Sequence, residues 1–259
     1  MPPPWPPAAN FQRFCSAEPA GHAPLHPRLE LIDMKDLQPR IGDLPEICPV
    51  FPLTGALLLP GGHLPLNIFE PRYLAMTEDA LAAGRMFAMI QPNVDQKPVA
   101  QGPVLYKVGC LGRLSSFSET DDGRYLITLA GLIRFDVIEE VEMLRGYRRV
   151  RADFRRFVTD LDEDGGPGLP DRAGLLDALR MYFANRGFDA NWDAINAMED
   201  HHLVTSLAMV CPFEPLEKQA LLEAISLADR GQTLRTLLRI DTHTRPHDPD
   251  ETPPRRMAS

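Results

Sequence analysis

The stretch from residue 48 to residue 73, CPVFPLTGALLLPGGHLPLNIFEPRY, constrains the fold of this chain more than any other. It reads as extended, turn, extended, helix start. Val50, Phe51 and Leu53 form a short apolar run beside Pro49 and Pro52. Proline is tolerated on edge strands and at bulges, not in a central ladder, so an edge or a bulged strand is expected. Leu57, Leu58 and Leu59 then run into Pro60-Gly61-Gly62, a strong turn signal. One of the two glycines is expected at positive φ. Leu64, Leu66 and Ile68 alternate with His63, Pro65 and Asn67, which suits a strand with one buried face. Glu70-Pro71 opens a helix, with proline at the position where its missing N–H costs nothing.

Downstream, a helix is expected over residues 71–83, burying Leu74, Thr77, Leu81 and Ala82 and stopping at Gly84. Residues 86–90 read as a strand and 91–103 as a loop. Residues 104–118 read as a long, bulged strand with kinks at Gly109 and Gly112. Asp122-Gly123 is the strongest hairpin signal in the chain. Residues 124–130 return from it. Ile133, Phe135, Val137 and Val141 suggest a further strand, and residues 147–158 another. Many short strands with turn signals and a single helix predict a small closed or nearly closed barrel.

Residues 160–170, DLDEDGGPGLP, are acidic and rich in Gly and Pro, and read as a domain linker. The period then becomes helical. Leu175, Leu176, Leu179, Tyr182 and Phe183 fit one helix, residues 192–198 a short one, and Leu203, Leu207 and Val210 another. Pro215 opens a helix expected to bury Leu216, Ala220, Leu221 and Ile225. Leu227, Leu234, Leu237, Leu238 and Ile240 fit the last. The expected class is α+β: a barrel over 45–159, a linker over 160–170 and a helical bundle over 171–243. Residues 1–44 hold ten of the chain's 26 prolines together with Pro45 and lack periodicity, so a disordered tail is expected, with a second over 244–259. Met34 begins MKDLQPRIGDLPE, which reads as a natural start.

The net charge of −9 is uneven: residues 46–160 carry 13 basic and 14 acidic side chains, and residues 161–259 carry 10 and 17. An acidic second half argues against general nucleic-acid binding there. Four cysteines, Cys15, Cys48, Cys110 and Cys211, form no C-x-x-C pair and read as free buried thiols. The first residues lack the basic and apolar regions of a secretory signal, and no apolar run reaches the roughly 18 residues of a membrane span. A cytoplasmic protein is expected.

FPL, LLPGGHLPL and IFEPRYL resemble the opening of the Lon protease N-terminal domain, also called the Lon substrate-binding domain. GCLGRLSSFSETDDGRYLITLAGLIRF, residues 109–135, resembles the same family's second signature, and Lys218-Gln219-Ala220-Leu221-Leu222-Glu223 a third. Three motifs in order, over about residues 46–241, are far more specific than one. The resemblance implies a PUA-like β-barrel followed by an α-helical bundle. It also implies binding of unfolded or regulated polypeptides, with a protease or chaperone as partner. A groove between barrel and bundle is the expected place.

A full Lon enzyme needs more. Its ATPase requires a G-x-x-x-x-G-K-[ST] loop, and none of the four lysines (Lys35, Lys97, Lys107, Lys218) follows a glycine. No counterpart of the Ser–Lys peptidase site is found, so a stand-alone, non-catalytic domain without cofactor or metal is expected. Asp160, Asp162, Asp164 and Gly165 start like an EF-hand loop, but Pro167 and Asp171 break the pattern. His201-His202 are adjacent, lack H-x-x-x-H spacing and read as surface or capping residues.

Phe69, Glu70, Arg72 and Tyr73 form either a recognition surface or, better, a scaffold. In the scaffold reading Glu70 caps the helix, Arg72 meets a barrel carboxylate, and Phe69 and Tyr73 pack underneath. Arginines at 145, 148, 149, 151, 155 and 156 form the basic cluster. Alternation puts Arg149, Arg151 and Arg155 on one strand face with Tyr147. RNA contact through that face is the first alternative function, since Lon N-terminal barrels resemble PUA-like RNA-binding barrels. Pairing with Glu139, Glu140 and Glu142 across the strands is the better reading of these arginines. A peptidase with an unseen site is the other alternative.

Overall fold

In a computed structural model, residues 40–99, 101–162 and 168–244 are described. Residues 1–39, 100, 163–167 and 245–259 lie outside them, and with them most of both expected tails and the middle of the expected linker; of the tail expected over 1–44, Ile41–Asp43 form a 3-10 helix.

The alternation at 63–68 becomes strand β2 (His63–Ile68), whose residues are exposed and buried in turn. It follows β1 (Ile47–Pro52) and precedes helix α1 (Pro71–Ala82). Then come β3 (Met86–Ile90), the short pair β4 (Pro92–Asn93) and β5 (Val104–Leu105), β6 (Val108–Glu119), β7 (Tyr125–Leu144) and β8 (Tyr147–Asp153). The strand order is β2-β7-β6-β3-β1-β8, and β7 also pairs with β8. One edge of β7 holds β6. Its other edge holds β2 along residues 125–130 and β8 along 136–144. The ring β7-β6-β3-β1-β8 therefore closes on itself, which removes the open edges of those five strands, while β2 pairs with β7 alone. All pairings are antiparallel except β1 with β3.

β7 runs for 20 residues where the sequence suggests two strands. Gly131 does not break it. A Cβ there would lie 2.0 Å from the Leu59 carbonyl oxygen, so glycine allows a backbone crossing rather than a turn. Register shifts between Val137 and Glu139, and between Val141 and Leu144, bend the strand round the barrel. The β6 shift between Leu111 and Gly112 agrees with the kink expected at Gly112.

β1 is interior, so of an edge or an irregular strand the second holds. Its ladder with β8 covers residues 47–50 and its ladder with β3 covers 50–52. The two overlap only at Val50, so Pro49 and Pro52 each stand where one neighbour is absent. That stagger is how an inner strand tolerates two residues without N–H groups.

The helices are α2 (Arg172–Arg186), α3 (Trp192–Ala197), α4 (Asp200–Val210), α5 (Pro215–Glu223) and α6 (Leu227–Thr244). Gly187, left-handed at φ 64°, closes α2. Two buried faces differ from the apolar pattern. α1 buries Tyr73, Ala75, Met76, Thr77 and Ala80, while Ala82 is exposed. α5 buries Lys218, Gln219, Leu221 and Leu222 and leaves Leu216 and Ala220 exposed. Sheet and helices share one continuous cluster of buried residues. Cys48, Cys110 and Cys211 are free thiols within it. Burial raises the Cys48 thiol to about 12, which makes it unreactive.

The turn at Pro60-Gly61-Gly62 has the expected strain. Gly61 has φ 74°, and a Cβ would sit 2.8 Å from the His201 ring. Gly61→Val is expected to cost about 1–3 kcal/mol. Thermal melting against wild type checks this, and an unchanged midpoint contradicts the tight turn.

Candidate polypeptide-binding seam

The three signature segments of the sequence meet in space. Residues 53–62 leave β1 and turn against Gly131: Gly61 N–H donates to Gly131 O (3.0 Å), and Gly131 N–H donates to Gly62 O (2.8 Å). Leu57, Leu58 and Leu59 are buried beneath this turn. α5 then fastens to the barrel through polar side chains. Lys218 Nζ donates to Gly55 O (2.8 Å). Gln91 accepts from Gly55 N–H (3.1 Å) and donates to Pro215 O (2.9 Å) and Gln219 Oε1 (3.2 Å). Gln219 donates to Val108 O (3.2 Å) and Glu223 Oε1 (2.8 Å). Gln91 and Gln219 are both buried, and each meets partners that satisfy its amide.

A second fastening lies at the far end of α5. Arg134 on β7, 2% exposed, makes a fork with Asp160: Nε to Oδ2 at 2.8 Å and Nη2 to Oδ1 at 2.7 Å. Its remaining donors meet the carbonyls of Leu222 (3.0 Å), Ala224 and Ile225 (3.2 Å). These carbonyls close α5, where the helix dipole is negative, and a guanidinium suits them. The Arg134 guanidinium also lies 4.5 Å from the Phe157 ring centroid. Arg230 of α6, also buried, donates to Leu221 O (3.0 Å). Burial and the nearby Arg134 lower its pKa to about 10. Asp160, expected to begin the exposed linker, instead sits in the 3-10 helix Arg155–Leu161 as the anion of this cluster. It is therefore turned away from any calcium loop.

Between turn and helices lies a cleft of about 210 Å³. Residues 55–57 and 63–65 form one wall; Met209, Val210, Pro212 and Lys218 form the other. Its lining is mostly apolar. Desolvation lowers the Lys218 pKa. His201, half-buried over Gly61 rather than on the surface, has its pKa lowered by burial and by His202. Among the described residues no group of three or more His, Cys, Asp or Glu could hold a metal.

The residues singled out from the sequence lie elsewhere. Glu70 occupies the N-cap of α1 but makes no side-chain cap; it pairs with Arg72 (2.7 Å), which therefore meets no barrel carboxylate. Tyr73 is buried against Phe51 with ring centroids 4.1 Å apart, and Arg72 lies over its ring. Phe69 does not pack underneath: it is 60% exposed.

The arginines do not share one strand face either. Arg155 lies past the end of β8, paired with Asp153. Arg151 pairs with Glu46 and Glu139, and Arg149 donates to Glu142 O (2.9 Å). Arg148 is buried in a fork with Glu140 (2.6 Å). Contacts across β7 and β8 thus hold Arg148, Arg149 and Arg151, whereas Arg155 pairs locally and Arg145 meets Glu78 and Asp79 of α1. Sequence reading missed Lys218, Gln91, Gln219 and Met209. The signal present was polar residues at core-facing helical positions inside a family motif.

The family described as the ATP-dependent protease La (LON) substrate-binding domain matches residues 47–239. The chain belongs to this Lon substrate-binding family. Lon protease 2 of Myxococcus xanthus is 26% identical over 111 residues, which is 43% of this chain and 13% of that protein. The Lon protease of Dictyoglomus thermophilum is 22% identical over 193 residues, 73% of this chain and 24% of its own. The chain thus spans between about an eighth and a quarter of the Lon proteases it resembles. The crystal structure of a Lon N-terminal domain protein from Xanthomonas campestris superposes with a TM-score of 0.52 at 21% identity. That match covers 73% of this chain and 97% of the other. The N-terminal domain of a Mycobacterium avium complex Lon protease gives 0.51 at 16% identity, covering 74% and 97%. The shared fold is α+β, a mixed sheet with several helices. Among the described residues of this Lon-type domain, no helix is long and apolar enough to cross a membrane.

Proposed function

We propose that this Lon-type domain binds segments of polypeptide, as the substrate-recognition or adaptor part of a protein quality-control system. The observation that carries this is the apolar cleft at the seam where the three family segments meet. Ligand sites favour such junctions. In this reading the chain binds and does not cleave, and hands its client to a protease or chaperone. The sequence contains no G-x-x-x-x-G-K-[ST] run to hold ATP. A reducing cytoplasmic setting suits its three buried free thiols.

RNA binding fits less well. Arg151 and Arg155 are held by carboxylates and Arg149 by a carbonyl, on a chain of net charge −9, so little net positive field is left to draw a polyphosphate. Fluorescence anisotropy compares a labelled unfolded protein with a labelled single-stranded RNA at about 50 and 200 mM salt. The unfolded protein is expected to bind at both, and RNA only weakly at the lower. Joint replacement of Arg149, Arg151 and Arg155 by Gln is expected to leave polypeptide affinity unchanged. Tight, salt-steep RNA binding lost in that variant, with no binding of unfolded protein, reverses the assignment.

A further inference from the structure

Lys218 is the unusual group in the seam. It is 8% exposed, lines an otherwise largely apolar cleft and carries three N–H donors. Its hydrogen bond goes to a neutral carbonyl, Gly55 O. No carboxylate of the described residues lies within ion-pair distance of it; the titratable group that acts on it is the buried Cys211 thiol, an ordinarily neutral neighbour. The acids of its own helix are engaged elsewhere: Glu217 accepts from Glu214 N–H (2.8 Å), and Glu223 accepts from Gln219 (2.8 Å); Glu214 at the N-cap returns the capping box. Buried ammonium groups are ordinarily paired, because an unpaired one forfeits its hydration without return. Here the cation faces a cleft, so the missing anion can arrive with a ligand.

The cleft restricts that ligand. At about 210 Å³ it is smaller than the roughly 300–1,000 Å³ of pockets for drug-sized molecules, so it admits one or two residues. Its anion must lie beside apolar walls formed by Leu57, Leu64, Met209 and Val210. An internal Asp or Glu offers a carboxylate but no apolar group on the same residue. A C-terminal Leu, Ile, Val, Met or Phe offers both from one Cα.

We propose that the cleft captures the free carboxyl terminus of a polypeptide ending in an apolar residue, with Lys218 pairing with the terminal carboxylate. This rests on the polypeptide-binding reading and names the class of segment bound.

Anisotropy with fluorescein-labelled decapeptides tests it. One peptide ends in Leu as the free acid, one ends in Leu amide, and one ends in Lys as the free acid. A permanently unfolded protein with a polar C-terminal residue is measured in parallel. The Leu acid is expected to bind at least ~10-fold tighter than the other two peptides. Lys218→Met is expected to abolish the preference of acid over amide. Val210→Trp, which fills the cleft from a half-buried position and leaves the cation in place, is expected to weaken the Leu acid. Equal affinity of acid and amide for the wild-type protein overturns the proposal without any variant. So does a preference that survives in both folded variants. Displacement by decanoate but not by the Leu acid also overturns it, in favour of a lipid carboxylate. If the unfolded protein binds while the acid has no advantage, only the terminus assignment falls. If nothing binds, the polypeptide-binding reading falls with it.

Discussion

Asp160→Ala is expected to destabilise the protein by about 3–5 kcal/mol, because it orphans a buried charge. Arg134 is 2% and Asp160 8% exposed on their side chains, and Arg230 is buried nearby. Removing the carboxylate leaves two guanidinium groups in the interior with no anion, only carbonyls and the Phe157 ring for partners. The effect should reach beyond the pair. Arg134 bridges β7 to the end of α5, so the loss should loosen the helices from the barrel as well as lower the melting point. The measurement is chemical denaturation of the variant, with Arg134→Met and the double variant completing a cycle. The double variant is expected to lose less than the sum of the singles, since no charge is then left unpaired. A loss under about 1 kcal/mol for Asp160→Ala would place the pair among weak surface bridges.

Gly131→Ala is expected to cost about 3 kcal/mol or more, at the upper end of overpacking effects. The added Cβ meets the Leu59 carbonyl oxygen at 2.0 Å and its carbon at 2.7 Å. Both are backbone atoms, so no rotamer change relieves the clash. The turn must back away, breaking the hydrogen bonds that Gly131 exchanges with Gly61 and Gly62. Because residues 55–57 form a wall of the cleft, polypeptide affinity should fall as well. Gly42→Ala, where a Cβ meets nothing within 4 Å, is the control and should melt like wild type. Equal midpoints for the two variants would mean that the crossing is not tight.

Much of the local structure was legible because local chemistry decides it. Strict alternation at 63–68 has one solution in a half-buried strand, and β2 follows it. Pro71 opens α1, Pro215 opens α5, and Asp122-Gly123 makes the hairpin with Gly123 at φ 76°. The α+β class followed from the change of period near residue 170 and from the family resemblance. The site was far less legible. Phe69 and Arg72 stand out in sequence because they are aromatic and charged beside a proline, yet they lie outside the cleft.

What the chain alone determined is where elements begin, which residue types turn it, and which family it joins, since these rest on neighbours within a few positions. Which strand is interior, whether Gly131 breaks or crosses, and whether Lys218 faces water or a cleft were decided only by the closed barrel. Each depends on an atom far away in sequence: β8 beside Pro49, Leu59 O beside Gly131, Gly55 O beside Lys218. A lysine on a helix reads as solvent-facing because burying an ammonium is costly. Only tertiary packing can impose that cost, and here it does so beside a cleft.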